Sequence, residues 1–204
     1  MEYFEQIIDF LKSIDQSILL FINGLNHPFL DEIMWLLTGK FIWFPFYAIL
    51  LFLVYKKTDR IQTFITFLLV GLIIIGLSDF IATHLFKYPI GRYRPSHHLS
   101  LRELLHFYEL KQGQFYQGGQ YGFVSGHATN SFAIAIYFGL FLRNFYKKAL
   151  LFLVLWALMI CYTRVYLGVH YPSDIIGGIT LGIVMAVVGN VIFKKVGFYL
   201  ANRN

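Results

Sequence analysis

The sequence predicts an all-α protein, a polytopic bundle of membrane-spanning helices. Composition, the spacing of the apolar runs and the placement of charge all point that way. Of the 204 residues, 57% are hydrophobic and only 14% are charged, and 22 Phe, 14 Tyr and 3 Trp supply a large aromatic share. A soluble domain carries roughly 25% charged residues, so this chain is too poor in charge to cover its apolar surface in water. The mean hydropathy of +0.61 agrees. The same composition excludes a disordered chain, a collagen repeat and a disulfide scaffold. A single membrane-embedded domain over residues 1–204 is expected.

The elements follow in order. In residues 1–38, Tyr3, Phe4, Ile7, Ile8, Phe10 and Leu11 recur at helical spacing, which predicts an amphipathic helix. Residues 17–21 extend it, and Asn26-His27-Pro28 breaks it. This region is either a weak sixth span or a pair of helices lying in the membrane interface. Glu2, Glu5 and Asp9 stand where a basic leader would carry its positive charge, so no secretory signal is expected. Five spans come next, at residues 41–55, 61–78, 131–142, 149–163 and 175–193. At about 1.5 Å per residue, several are short for a hydrocarbon core roughly 30 Å thick. They must borrow flanking residues, and residues 61–86 can run as one helix past Asp79.

The charges orient the bundle. Lys56, Lys57 and Arg60 fill one short loop, Arg143, Lys147 and Lys148 another, and Lys194, Lys195 and Arg203 follow the last span. Across five spans these segments share one side, and the positive-inside rule makes it cytoplasmic. The net charge of +6 therefore speaks for orientation, and no nucleic-acid partner is expected. The single cysteine, Cys161, lies in an apolar run and has no partner for an intramolecular disulfide. Residues 87–126 and 164–174 fall on the opposite, outer side.

Three motifs share that outer side. Lys87 is followed after six residues by Arg94-Pro95, Ser125-Gly126-His127 leads into the third span, and Arg164 precedes His170 and Asp174. Lys87, Arg94 and Arg164 gather three cations at a low-dielectric boundary, which calls for an anion, and Arg forks match phosphate oxygens. Ser125 and Gly126 stand at a helix start, where free N–H groups and the helix dipole favour the same anion. Asp174 can accept from one nitrogen of His170 and leave the other as a nucleophile. His127 remains for proton transfer.

With these motifs in order, the chain resembles the type 2 phosphatidic acid phosphatase family, the lipid phosphate phosphatases, in its bacterial membrane branch. The resemblance runs by motif from Lys87 to Asp174 and by hydropathy over most of the chain. It implies that His170 attacks phosphorus and becomes a phosphohistidine, that Asp174 orients it, and that His127 protonates the leaving oxygen. It further implies that Lys87, Arg94, Ser125, Gly126 and Arg164 hold the phosphoryl oxygens, with no metal and no other cofactor. Val124 stands where a Pro commonly precedes Ser-Gly-His, and Thr163 replaces a Ser before Arg164. Neither change removes a catalytic group.

The substrate implied is a membrane lipid phosphate or diphosphate, met at the outer face of the bacterial cytoplasmic membrane. Undecaprenyl diphosphate comes first by analogy within the family, with phosphatidylglycerol phosphate, phosphatidic acid and lipid A phosphates behind. Protein partners are not indicated. Two other classes stand beside this reading. Vanadate-dependent haloperoxidases share the anion pocket but are soluble, and a catalytically silent lipid-binding or transport protein would not need His127, His170 and Asp174.

Other residues receive plainer readings. Arg92 lies outside the motif and is either an interfacial anchor or part of the site. His27, His84, His97, His98 and His106 show no ligand spacing and read as solvated or interfacial. Asp79 falls about 27 Å along its helix, near the outer interface, and is left out of the site. Residues 101–110 suggest a short amphipathic helix on the membrane surface, and residues 117–122 a flexible approach to Ser125. Gly177, Gly178, Gly182 and Gly189 read as a packing face.

Overall fold

The protein is described here by a computed structural model covering residues 2–201. Helix α1 (Glu2–Asn23) and helix α2 (Pro28–Thr38) are followed by a 3-10 turn at Phe41–Trp43 and by α3 (Phe44–Lys56). Helix α4 (Ile61–Ile81) continues through a π-helical stretch, Ala82–Lys87, into the short α5 (Tyr88–Ile90). A connecting segment follows, holding 3-10 turns at Pro95–His97 and Arg102–Leu104 and a hairpin of β1 (Glu109–Lys111) and β2 (Gln114–Phe115). Three long helices complete the chain: α6 (Gly126–Leu142), α7 (Ala149–Tyr166) and α8 (Pro172–Ala201).

Helix α6 is the centre of the bundle, with α3, α4, α7 and α8 around it. Its small residues, Ala128, Ala133 and Ala135, are fully buried. Helix α8 approaches it along glycines, as the sequence predicts. A Cβ at Gly178 would stand 2.6 Å from the Ser125 carbonyl oxygen, and one at Gly182 would run into the Thr129 carbonyl. Small residues let backbones meet, and in lipid such packing is what holds helices together. Helix α4 meets α6 through Phe67, stacked on Tyr137 with ring centroids 4.5 Å apart. The Tyr137 hydroxyl donates to the Phe67 carbonyl at 2.9 Å, so a buried polar group is satisfied across two helices. On the other flank Trp156 of α7 sits among Trp43, Phe46 and Tyr47.

Three stretches among the described residues are long and apolar enough to cross a membrane: Ile61–Ile90, α7 and α8. The first runs past Asp79 without a break, as expected. The span expected at residues 41–55 is shorter alone. It forms α3, which meets α2 at a 67° bend over Gly39 and Lys40, and the bent pair is long and apolar enough for a broken span or a re-entrant loop. The span expected at 131–142 falls in α6, which begins five residues earlier, at Gly126, and with 17 residues is not among those three stretches. The basic loops after α3 and α6 and the end of α8 fall together by alternation, while Arg203 lies outside the described residues.

Helix α1 settles against α7 and α8. Asp15, Leu19 and Asn23, four residues apart, form its buried stripe. Tyr3, Phe4, Ile7, Phe10 and Phe21 stay exposed. Asn23 donates to the carbonyls of Tyr166 and His106 and accepts from the His106 N–H, at 2.7–2.8 Å. Those bonds hold His106 extended, and this corrects the surface helix expected at 101–110. The region makes only one 3-10 turn before entering β1. Residues 117–122 are tied to the segment before them: Arg94 N–H donates to the Gln120 carbonyl and Gly122 N–H to that of Arg92.

Candidate active site

The site lies at one end of the bundle, where the start of α6, the end of α7 and the start of α8 meet. Helix α7 ends at Tyr166, and Gly168, whose positive φ of 68° suits glycine, turns the chain toward α8. That corner delivers His170, fully buried, four residues from Asp174 in the first turn of α8. The His170 Nδ1 and Asp174 Oδ2 are 3.2 Å apart, and the same oxygen accepts the Tyr171 N–H at 3.1 Å. The His170 Nε2 is buried and has no hydrogen-bond partner among the described residues. Burial, together with the charges of Arg94 and Arg164, holds this imidazole well below the ordinary histidine range, so it is neutral at pH 7. A neutral ring with Nδ1–H on a carboxylate keeps a lone pair on Nε2, the arrangement of a nucleophile.

Cations surround it. Arg94 follows α5 and is buried, with Nε donating to the Tyr121 carbonyl at 3.1 Å and Nη1 3.4 Å from the carbonyl of Val169. Burial and the neighbouring Arg164 charge bring Arg94 down to about 10, where it is still protonated at neutral pH. Gly118 and Gly122 permit its approach, since a Cβ at Gly118 would stand 2.6 Å from Nη1, and one at Gly122 2.6 Å from Asp174 Oδ2. Arg164 ends α7, with Nη1 on Thr38 Oγ1 at 2.5 Å and Nη2 on the Tyr116 hydroxyl at 2.8 Å. Its Nε is buried and unpartnered. Lys87, ending the π-helical stretch, brings its ammonium beside Gly126 at the start of α6. Ser125 caps that helix and donates its own N–H to the Asp174 carbonyl at 3.0 Å, joining α6 to α8.

Two cavities meet at His127. One, of about 440 Å³, has Lys87, Arg94, Asp79 and Asn130 at its polar end and Trp43, Tyr47, Ile75 and Ile134 along its apolar wall. The other, of about 400 Å³, opens past Thr38, Lys40, Trp35, Tyr116 and Arg164. Tyr47, Ile75 and Ile134 also border a wholly apolar groove between α3, α4 and α6. The arrangement joins an anion cradle to a surface that accepts hydrocarbon.

The model of the PAP2 superfamily matches residues 64–198, which hold all eight of these motif residues. The chain belongs to the PAP2 superfamily. Among curated relatives, this PAP2 chain is 36% identical over 179 residues to a lipid A 4'-phosphatase of Bacteroides thetaiotaomicron, covering 86% of this chain and 75% of that one. It is 33% identical over 191 residues to a lipid A 4'-phosphatase of Porphyromonas gingivalis, covering 92% and 75%. Its fold is that of the transmembrane PAP2-type phosphatidylglycerolphosphate phosphatase of Bacillus subtilis, with a TM-score of 0.67 at 23% identity over 91% of this chain and 87% of that one. It is a PAP2 membrane lipid phosphatase.

Within this PAP2 fold, all eight residues read from the motifs, Lys87, Arg94, Ser125, Gly126, His127, Arg164, His170 and Asp174, converge on one end of the bundle. One placement, that of Asp79, differs from the sequence reading, and that of Arg92 decides between the two alternatives left open for it. Asp79 lines the cavity and accepts from Asn130 Nδ2 at 3.2 Å, so it belongs beside the site. Arg92 bonds Asp174 directly. Thr38, Lys40 and Tyr116 had no signal in the sequence, because only the α2–α3 bend and the hairpin bring them near Arg164. Val124, in place of proline, is buried against Gly177. Among the other histidines, His106 is held by Asp31 at 2.8 Å, and His27 caps α2.

Proposed function

We propose that this protein dephosphorylates a saccharide-headed lipid of the lipid A type at the outer face of the cytoplasmic membrane, without a metal, through a phosphohistidine. The observation that carries the chemistry is the buried, unpartnered Nε2 of His170, with Nδ1 on Asp174 and the cations Arg94 and Arg164 close by. The Nε2 lone pair attacks phosphorus, the N–P bond forms as the P–O bond to the lipid breaks, and His127, which takes up a proton as the bound anionic phosphate offsets the surrounding cations, gives that proton to the leaving oxygen. Water then attacks the phosphohistidine with His127 as base, the N–P bond breaks, and inorganic phosphate departs. Lys87, Arg94, Arg164 and the first N–H groups of α6 stabilise the charge gathering on the three phosphoryl oxygens, the work a metal does in other phosphatases. Preorganised donors in a site poor in water are well suited to it.

The similarity to two lipid A 4'-phosphatases supports the substrate class. So does the second cavity, which leaves room beyond His127 for a headgroup larger than phosphate. The apolar groove bordering the site suits an acyl chain. Undecaprenyl diphosphate is the second reading, because Lys40 borders both cavities and offers a cation to a second phosphate. The basic loops at the other end support an outward-facing site.

Phosphate release in detergent with EDTA tests both levels. Wild type and His170→Ala are compared on a lipid A phosphate, undecaprenyl diphosphate, phosphatidylglycerol phosphate and phosphatidic acid. Wild type turns over lipid A fastest, and the variant loses activity by a factor on the order of 10⁴ or more. Faster release from undecaprenyl diphosphate reverses the substrate order, and loss of wild-type activity in EDTA overturns the metal-free route. A folded protein silent on every lipid makes binding or transport the better account.

A further inference from the structure

Asp174 has a second partner that the motifs do not contain. Its Oδ2 is filled by His170 and the Tyr171 N–H, and its Oδ1 accepts from Arg92 Nη1 at 3.0 Å. Arg92 lies over the Tyr171 ring, 4.3 Å from its centroid, and its other arm, Nη2, meets Asp15 Oδ2 at 2.7 Å. Asp15 comes from α1, is nearly buried, and accepts the Ser173 N–H at 2.8 Å through Oδ1. The Ser173 hydroxyl closes the ring, 2.6 Å from Arg92 Nη1 and 2.5 Å from Asp15 Oδ2.

We propose that Arg92 and Asp15 are positioning residues, which act through Asp174 to hold His170 in its reactive tautomer and make α1 part of the catalytic apparatus. This rests on the reading of His170 as nucleophile. A buried carboxylate beside a neutral imidazole lacks a counter-charge, and burying an unpaired charge is costly. Arg92 supplies that charge with a planar fork that also fixes the carboxylate's direction. Asp174 then stays an acceptor, the proton stays on His170 Nδ1, and the lone pair stays on Nε2. Arg92 alone would draw Asp174 toward itself and weaken its hold on the ring. Asp15 offsets that pull, and through Ser173 it fixes the first turn of α8 on which Asp174 stands.

The test uses the full chain in detergent with p-nitrophenyl phosphate, comparing wild type, Arg92→Gln, Arg92→Lys, Asp15→Asn and His170→Ala. Partners that orient a functional histidine from behind contribute roughly 10–100-fold in activity, and a loss of that size in kcat is expected for Arg92→Gln with KM little changed. Arg92→Lys recovers part of it. The pH profile separates this from a structural defect. The acid limb reports protonation of the coupled pair His170 and Asp174, which faces Arg92, Arg94 after α5, Arg164 of α7, His127 of α6, Lys87 of the π-helical stretch and, through Arg92, Asp15 of α1. Removing the Arg92 cation eases that protonation and moves the limb to higher pH; removing the Asp15 anion moves it to lower pH. Melting temperatures report folding alongside. Wild-type kinetics in Arg92→Gln, or a lower melting temperature with an unmoved limb in both charge variants, overturns the proposal. Wild-type activity in His170→Ala instead sinks the nucleophile reading on which it stands.

Discussion

At His170 the imidazole is enclosed, with one nitrogen on Asp174 and the other aimed where no side chain answers it, whereas His127 borders both cavities and has a route to whatever leaves the phosphorus. That difference divides the two roles. An acid matters most when the leaving oxygen is basic, and general acid catalysis contributes roughly 10²–10⁴-fold. His127→Ala therefore slows release from a lipid or alkyl phosphate far more than from p-nitrophenyl phosphate, whose leaving group departs without a proton. Equal losses on the two substrates, measured as single-turnover rates, remove His127 from the role of acid. His170 and Asp174 were legible because a histidine and an acid four residues apart, one just before and one just inside the start of the last helix, are close enough in the chain to meet. Arg92 and Asp15 were not, since 77 residues separate them and a lone interfacial Arg carries no spacing to read.

Among the elements, α6 and α8 decide whether the site is assembled. The Ser125 cap, the His127 start and the Asp174 turn are joined only because α8 has no side chains at Gly178 and Gly182. A methyl at Gly182 would meet the Thr129 carbonyl and stand 3.0 Å from both the Ala133 nitrogen and the Phe132 Cβ, and the backbone atoms among these cannot turn aside. Forcing a methyl into such a contact costs about 1–3 kcal/mol. Gly182→Ala accordingly lowers the melting temperature in detergent, while Gly76→Ala, with nothing within 4 Å, leaves it unchanged. Equal melting of the two variants counts against close packing as the function of the stripe. The glycines of α8 were legible in the sequence for this reason. The 101–110 segment was not, because its fate depends on Asn23, far away in α1, which bonds both backbone groups of His106.

At the level of the whole molecule, the chain places its charge at the two ends of an apolar bundle and uses each end differently. One end carries the basic loops, solvated and spaced along the chain; the other concentrates Lys87, Arg94 and Arg164 beside His170. The spans were readable because hydropathy needs no tertiary information. The bent pair of α2 and α3 was harder, since the bend is fixed by tertiary contacts, among them the packing against Trp156 and the bond from Trp43 Nε1 to the Leu37 carbonyl. The account as a whole stands on one covalent bond, between His170 Nε2 and phosphorus. The most direct measurement is rapid quench of the full chain with a lipid A substrate labelled with ³²P, followed by peptide mapping. The account predicts transient label on His170, stable in alkali and lost in acid, and absent from His170→Ala. Phosphate released with isotope passing straight from lipid to water, and no labelled peptide at any time point under single turnover, would contradict it.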